Sequence, residues 1–275
     1  MRIVDRGRAN LLIDYGNPDW LYRCCIRFPS SLRLCNQYTM DNVRFINEKI
    51  RPILLDMLCS MELQTVPLNK LQVLNKYITE LDDDIVQLIK IKTLKNESLD
   101  QLIYRDHFTS FYCSGDDILM EFKPKWLYSK LGYCRNCTYN SLKNRDISYC
   151  YATLLNEPRH FFSIAKQASL PREFVEDIIC YFSSSDNILK VLHDAQKKSD
   201  VQPWTQIGSV SDVDDQCLLC MTLRDVTCFI RWHPHSSLSV SVVDVDLKPR
   251  EKWEYWIETH QTLNSYVTTH HSKKH

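Results

Sequence analysis

The sequence has no surplus of either charge. Lys+Arg and Asp+Glu both number 34 among 275 residues, so the formal net charge is zero. A protein that coats nucleic acid or a membrane surface needs an excess of positive charge, and this balance argues against both roles. It leaves room for a local basic pocket offset by acids elsewhere. Any apolar run of about 18 residues is also missing, so no membrane span is expected. The opening stretch MRIVDRGRANLLIDYG is charged and lacks the apolar segment of a secretory signal. Internal repeats and low-complexity tracts are absent. So are H-R-D-x-x-x-x-N, D-F-G and a V-A-I-K lysine after the first hairpin, which sets protein kinases aside. Cysteine is not scarce: there are 12. Without a secretory signal the compartment is expected to be reducing, and these thiols mostly stand outside a disulfide framework. Cys59 in LLDMLCSM and Cys180 in EDIICYF read as small buried hydrophobes.

What is present is an ordinary globular composition, 44% hydrophobic and 25% charged, long enough for one large domain or two lobes. ANLLIDYG and WLYRCCIRF alternate as the strands of a hairpin around GNPD. MDNVRFINEKI places Val43, Ile46 and Ile50 on one helical face, and Pro52 kinks or restarts that helix. IVQLIKIKTL, QLIYRDHFTSF and ILMEFKP read as three strands. Helices follow Lys125, the clearest being PREFVEDIICYF and DNILKVLHDAQKK, with Pro171 and Asp186 where a first turn or cap belongs. CMTLRDVTCFIRW and SLSVSVVDVDL form a second hairpin around HPHSS, a helix runs from Arg250 to Tyr266, and HHSKKH is a solvated tail. The fold class is α+β in two lobes, with residues 1–105 as the N-terminal lobe and 106–275 as the C-terminal one.

Several stretches carry chemistry. In MEFKPKW, Lys123 and Lys125 flank the rigid Pro124, which suits either a solvated strand end or a seat for phosphate. In SVSVVDVDLKP a strand period of two puts Asp244 and Asp246 on one face with Val240 and Val242, and Lys248 joins them if the strand persists. Carboxylates at that spacing lie roughly 7 Å apart. They resist burial without a cation, and Mg²⁺ is the natural one, unless the strand is simply entering solvent. TLRDVTCFIRW sets Asp225 in a strand of apolar and β-branched residues, where a lone acid is more often a turn residue or a salt-bridged partner. Because the neighbouring hairpin strand carries Asp244, three acids around one hairpin also suit metal binding and orientation of a hydroxyl. Gly7, Ala9 and Asn10 precede a strand and let backbone amides approach a phosphate; Arg23 and Arg27 follow on the next strand. Cys134 and Cys137 make a C-x2-C pair, and with Cys150 they are zinc candidates lacking one ligand, or core thiols. Cys217 and Cys220 read as core at a strand start.

These pieces resemble one family, the inositol-pentakisphosphate 2-kinases, most closely their compact fungal form. The family's E-I-K-P-K is EFKPK here (Glu121–Lys125), its D-L-D-L-K-P is DVDLKP (Asp244–Pro249), and its K-D-C-S is RDVT (Arg224–Thr227). Its G-x-A-N-L start is GRANLL, and its C-R-x-C with a following lysine is CRNCTYNSLK, ending at Lys143. The resemblance implies a two-lobed, protein-kinase-like inositol phosphate kinase fold. It implies transfer of the ATP γ-phosphate to the 2-hydroxyl of inositol 1,3,4,5,6-pentakisphosphate, giving inositol hexakisphosphate. By the same resemblance Gly7, Arg8, Ala9, Asn10 and Arg23 hold the nucleotide, and Lys123 sits beside the transferred phosphate. Lys125, Lys143, Lys248 and Lys252 hold substrate phosphates, and Trp256 stands where relatives present a tyrosine. Asp225 is the catalytic and metal-facing acid, and Asp244 a Mg²⁺ ligand. A monomer in the nucleus is expected, with ATP and Mg²⁺ as cofactors and zinc as a further candidate. The competing reading, from a different class, is a non-catalytic inositol-phosphate-binding or scaffold protein, which has no need of acids beside the lysines.

Overall fold

The computed structural model describes residues 1–95, 101–200 and 206–269; the terminal HHSKKH expected to be solvated lies outside them. The chain divides into two compact units, Met1–Ser98 and Leu99–His275.

In the first unit an antiparallel sheet has the order β1-β2-β3-β5-β4, from β1 (Arg2–Arg6), β2 (Asn10–Asp14), β3 (Trp20–Cys25), β4 (Met61–Pro67) and β5 (Ile85–Lys92). The expected hairpin is β2–β3, and β1 adds a strand outside it. Apolar alternation packs Leu11, Ile13, Cys24, Val86 and Leu88 into one core. Helix α1 spans Leu32–Phe45, earlier than the apolar stripe from Met40 indicated. Its start is fixed by Ser31, whose Oγ accepts from Leu34 N at 3.1 Å while donating to Asp82 at 2.8 Å. Helix α1 docks through Asn36, whose amide accepts from Gln87 N and donates to Ile85 O, both at 2.8 Å, on the interior strand β5. A π-helical turn, Ile46–Ile50, leads into α2 (Arg51–Leu54). The wider turn accommodates Pro52, which has no N–H to give.

The second unit is built on a sheet of order β10-β9-β8-β7-β6, again antiparallel throughout, with β6 (Gln101–Arg105), β7 (Thr109–Ser114), β8 (Asp117–Phe122), β9 (Thr227–Trp232) and β10 (Ser239–Val243). QLIYRDHFTSF is therefore two strands, not one. Asp106 breaks it, accepting from the amides of Phe108 and Thr109 at 2.7 Å each. Gly115, at φ 57°, permits the two-residue turn into β8. Helices α3 (Arg135–Leu142), α4 (Tyr151–Leu154), α5 (Phe161–Ala168), α6 (Arg172–Ser183), α7 (Ile188–Ser199), α8 (Asp215–Leu223) and α9 (Trp253–Thr269) complete it. Phe111, Phe161, Phe174 and Phe182 interlock edge to face between sheet and helices.

Four local readings need correction. CMTL is helical, so Cys217 and Cys220 are core residues of α8 and not of a strand, and Asp225 follows that helix in a turn. Strand β10 stops at Val243, because Asp244 takes the left-handed conformation at φ 59°; Asp244 and Asp246 are not face-mates of one strand. Cys180 is exposed, and α7 is capped by Asn187, not Asp186.

Lys125 also adopts φ 58°, a costly choice for a side chain with a Cβ. What holds it is Gln196 of α7, which is fully buried. Its Oε1 accepts from Leu127 N at 2.8 Å and Tyr128 N at 3.1 Å, and its Nε2 donates to Lys125 O at 2.9 Å and Leu223 O at 3.1 Å. Replacing Gln196 with Leu strands four backbone groups out of reach of water. Urea unfolding should then show a loss of about 3 kcal/mol; a loss below about 1 kcal/mol would mean that the amide holds nothing.

Candidate active site

The irregular segment after β8, the first turns of α3, the α8–β9 turn and the start of α9 converge on a cavity of about 330 Å³. Its walls carry six Lys or Arg side chains (Lys125, Arg135, Arg145, Arg224, Lys248 and Lys252) and one carboxylate, Asp225. In a chain of zero net charge this is a strong local concentration of cations.

Asp225 is placed by the C-terminus of α8: its N–H donates to Thr222 O at 2.9 Å. Thr222 in turn donates to Asp246 O at 3.0 Å, tying that helix end to the segment leading to Lys248. Lys125 Nζ reaches Asp225 Oδ1 at 2.5 Å, and Lys248 Nζ reaches Oδ2 at 2.7 Å. Burial works to raise the carboxyl pKa, but the two ammonium groups outweigh it and hold the group down at about 2. Asp225 is thus a permanent anion bridging two cations, not a member of an acid cluster. Among the described residues, Asp225, Asp244 and Asp246 do not bring three ligand atoms together. Asp244 lies beside the cavity: Thr227 donates to its Oδ2, and Lys123 Nζ stands 3.7 Å away.

The remaining cations are organised by an aromatic ring. The guanidinium of Arg224 lies 3.7 Å from the Trp126 ring centroid and that of Arg135 4.0 Å from the same centroid. Two guanidinium groups at those distances occupy opposite faces, so Trp126 separates like charges that would otherwise repel. Arg224 is also paired with Asp200 at 3.1 Å. Arg135 is only 7% exposed and its Nη1 has no hydrogen-bond partner. Burial, aided by the charge of Arg224, pulls its pKa down to about 10, so it remains a cation at neutral pH and a waiting donor for an anion. Arg145 lies over the Tyr139 ring at 5.3 Å. The His107 imidazole is held below its usual pKa by burial and by the neighbouring Arg145 and Lys125.

Of the residues singled out from sequence, the structure gathers Lys125, Asp225, Lys248 and Lys252 in the cavity, with Lys123 and Asp244 beside it. Lys143 is exposed at the C-cap of α3 and is not among the lining residues. Trp256 is buried against Ile207, Val213, Cys217 and Leu218, so it serves mainly as wall; the exposed neighbour Tyr255 also lines the cavity. Gly7 to Asn10 form the β1–β2 turn of the first unit, closed by Gly7 N to Asn10 O at 2.9 Å, and Arg23 stands on β3. Arg135, Arg145, Arg224, Trp126 and His107 were missed. Arg135 and Arg224 were visible inside CRNC and RDVT, but as letters between better-known ones. In a smaller constellation, Cys134, Cys137 and Cys150 bring their three sulfurs within 4.8 Å of one another. Hydrogen bonding to Cys134, with burial, pushes the Cys150 thiol up to about 12.

An ionised acid set among lysines and arginines in a pocket defines an enzyme-type site for a small, highly charged anion. A sequence model of the inositol-pentakisphosphate 2-kinase family matches residues 156–262. The inositol-pentakisphosphate 2-kinase of Saccharomyces cerevisiae is 43% identical over 279 residues, covering 99% of each chain. That of Candida glabrata is 41% identical over 279 residues, covering 98% of this chain and all of its own. That of Kluyveromyces lactis is 38% identical over 276 residues, covering 97% and 96%. The chain belongs to the inositol-pentakisphosphate 2-kinase family.

Trp126 offers a direct check on the cation frame. With Leu in its place the two guanidinium groups lose the ring between them. Affinity for inositol pentakisphosphate should fall about tenfold or more by calorimetry, given that a desolvated cation–π contact contributes about 2 kcal/mol. An unchanged Kd in a variant of normal fold would remove the ring from the account.

Proposed function

We propose that this chain transfers the γ-phosphoryl group of ATP to the 2-hydroxyl of inositol 1,3,4,5,6-pentakisphosphate. The observation that carries the reading is the cavity itself: six fixed cations surround one ionised acid. Phosphoryl transfer demands little covalent help from a protein. It demands reactants held in line and charge neutralised as it develops. Lys125 and Lys248 act as point charges for two substrate phosphates, Lys252 and Arg135 for others, and Lys123 faces the phosphate in transit.

Asp225 orients the hydroxyl. With its pKa near 2 in the substrate-free site it is a poor proton acceptor. Substrate phosphates compete for the two ammonium groups that hold it down, and as those turn to phosphate the carboxylate gains basicity where the hydroxyl arrives. The donor set also fits a divalent ion. The Asp225 and Asp244 side chains are 49% and 52% exposed, and Mg²⁺ takes one or two carboxylates while filling its other positions with water and phosphate. Such an ion, when bound, neutralises nucleotide phosphate charge. In the first unit the Gly7–Asn10 turn and Arg23 are assigned to the nucleotide.

Two substitutions test the assignments. Lys248→Ala should weaken binding of inositol pentakisphosphate by about 1.5–3 kcal/mol, the range for a charged hydrogen bond, and leave ATP affinity nearly unchanged; equal weakening of both would refute the division of labour. Asp225→Asn should lower single-turnover phosphoryl transfer at least about 10²-fold, as for other acid–base groups, with inositol phosphate binding retained. Near-normal turnover in that variant would remove Asp225 from the proposed mechanism.

A further inference from the structure

The segment that carries Lys125 and Trp126 into the cavity has no ladder of its own. From Lys123 to Trp126 the chain is neither strand nor helix, and Pro124 has no N–H to give. Its backbone groups therefore find partners one by one. Six of them, between Pro124 and Tyr128, are met by two side-chain amides. Gln196 of α7 takes Lys125 O, Leu127 N and Tyr128 N. Asn136 of α3 takes the rest. Its Oδ1 accepts from Trp126 N at 3.2 Å, and its Nδ2 donates to Pro124 O at 3.2 Å and to Trp126 O at 3.0 Å. An amide offers N–H groups on one side and a carbonyl oxygen on the other, so Asn136 fits this set in one orientation only. Turned over, its oxygen would face two carbonyls.

The three bonds of Asn136 straddle Lys125, the residue held at the costly φ of 58°. Asn136 also follows Arg135 directly, so consecutive residues of one helix grip the same tryptophan. Arg135 stacks on the Trp126 ring at 4.0 Å, and Asn136 holds its backbone. That helix is itself anchored: it packs on α9, and just before it Tyr133 donates to Asn264 Oδ1 at 2.7 Å. On the other side, the Gln196 amide nitrogen joins Lys125 O to Leu223 O, close to Asp225 in the chain. The Lys125 backbone is thus fixed relative to the acid that its ammonium meets at 2.5 Å. Asn136 occupies the unspecified letter of C-R-x-C, so the motif gives it no role.

We infer that Asn136 is a positioning residue for polyanion binding. By holding Pro124 and Trp126 it keeps Lys125 in the left-handed conformation with Nζ extended into the cavity, and its contribution to affinity runs through that lysine. Without the amide the segment relaxes towards negative φ, and the side chain leaves the backbone in another direction. The lysine then has to be ordered anew each time substrate binds. The inference rests on the reading of Lys125 as a substrate cation.

Asn136 borders the cavity, so direct contact with substrate is the alternative to exclude, and a double-mutant cycle does so. Calorimetry on the full chain should show affinity for inositol pentakisphosphate falling about tenfold in Asn136→Leu, with ATP affinity held within about twofold. The KM for inositol pentakisphosphate should rise in parallel. In a Lys125→Ala background the same substitution should weaken binding less than about twofold, while in a Lys252→Ala background the full factor should return. A merely structural role would lower the Tm without this dependence on one lysine. Equal losses with and without Lys125 would mean that Asn136 touches the substrate or props the whole cavity, and the inference would fall; an unchanged Kd in Asn136→Leu would end it as well. Should the leucine variant not fold, Asn136→Ser carries the same cycle, being too short to span Pro124 O and Trp126 N but able to admit water. Lys125→Ala binding as tightly as the unaltered chain would defeat the substrate reading of that lysine and the inference with it. A clear loss in Lys125→Ala beside an intact Kd in Asn136→Leu would defeat the inference alone.

Discussion

The site rests on one ion cluster, Lys125–Asp225–Lys248, in which a single carboxylate is gripped from both sides at 2.5 and 2.7 Å. It joins three segments far apart in sequence: the end of β8, the α8–β9 turn and the run after β10. A carboxylate held this way stays charged across any physiological pH. The two lysines, kept extended by it, are already aimed inward before any ligand arrives. That preorganisation lowers the entropy lost when phosphates bind. Its cost is a half-buried acid fixed between two cations, and the surrounding backbone is arranged to accept it.

How the backbone does so is visible at two positions. Lys125 and Asp244 both take positive φ, where an L-residue is strained by about 1–2 kcal/mol. Each lies just beyond a strand, and each departs from the ladder so that its side chain can meet a partner the ladder direction would miss. Gln196 pins the first excursion, while Thr227 and Lys123 hold the second. Strain next to chemistry, paired with a buried polar group that fixes it, is a common sign of a working site.

Much of this was legible in the letters. The β2–β3 hairpin, β5, helices α6, α7 and α9, and the lysines of MEFKPKW and DVDLKP follow from period, turn residues and motif. The misreadings have physical causes. Short apolar runs such as CLLCMTL fit helix and strand equally, and only the Asp214 cap, whose carboxylate accepts from Cys217 N at 2.7 Å, decides for α8. Strict alternation through VVDVDLK suggested a continuing strand, and the turn at Asp244 is not encoded by any glycine or proline. The face-to-face service of Trp126 to two arginines needs three segments brought together by the fold, and no local pattern announces it. Cys180 looked like core because its neighbours Ile178 and Phe182 are; it lies on the other face of the same helix.

The concentration of cations in a neutral chain has a kinetic side. Positive charge gathered in one cavity leaves compensating negative charge elsewhere on the molecule, so an approaching polyanion meets an oriented field. Encounter is guided, and it slows as ionic strength rises. The same field acts on whatever is leaving. Under the proposed reaction the product carries one phosphate more than the substrate and is held more tightly by walls that cannot distinguish arrival from departure. Escape is then opposed by the same charges that favour entry, and rising ionic strength eases it.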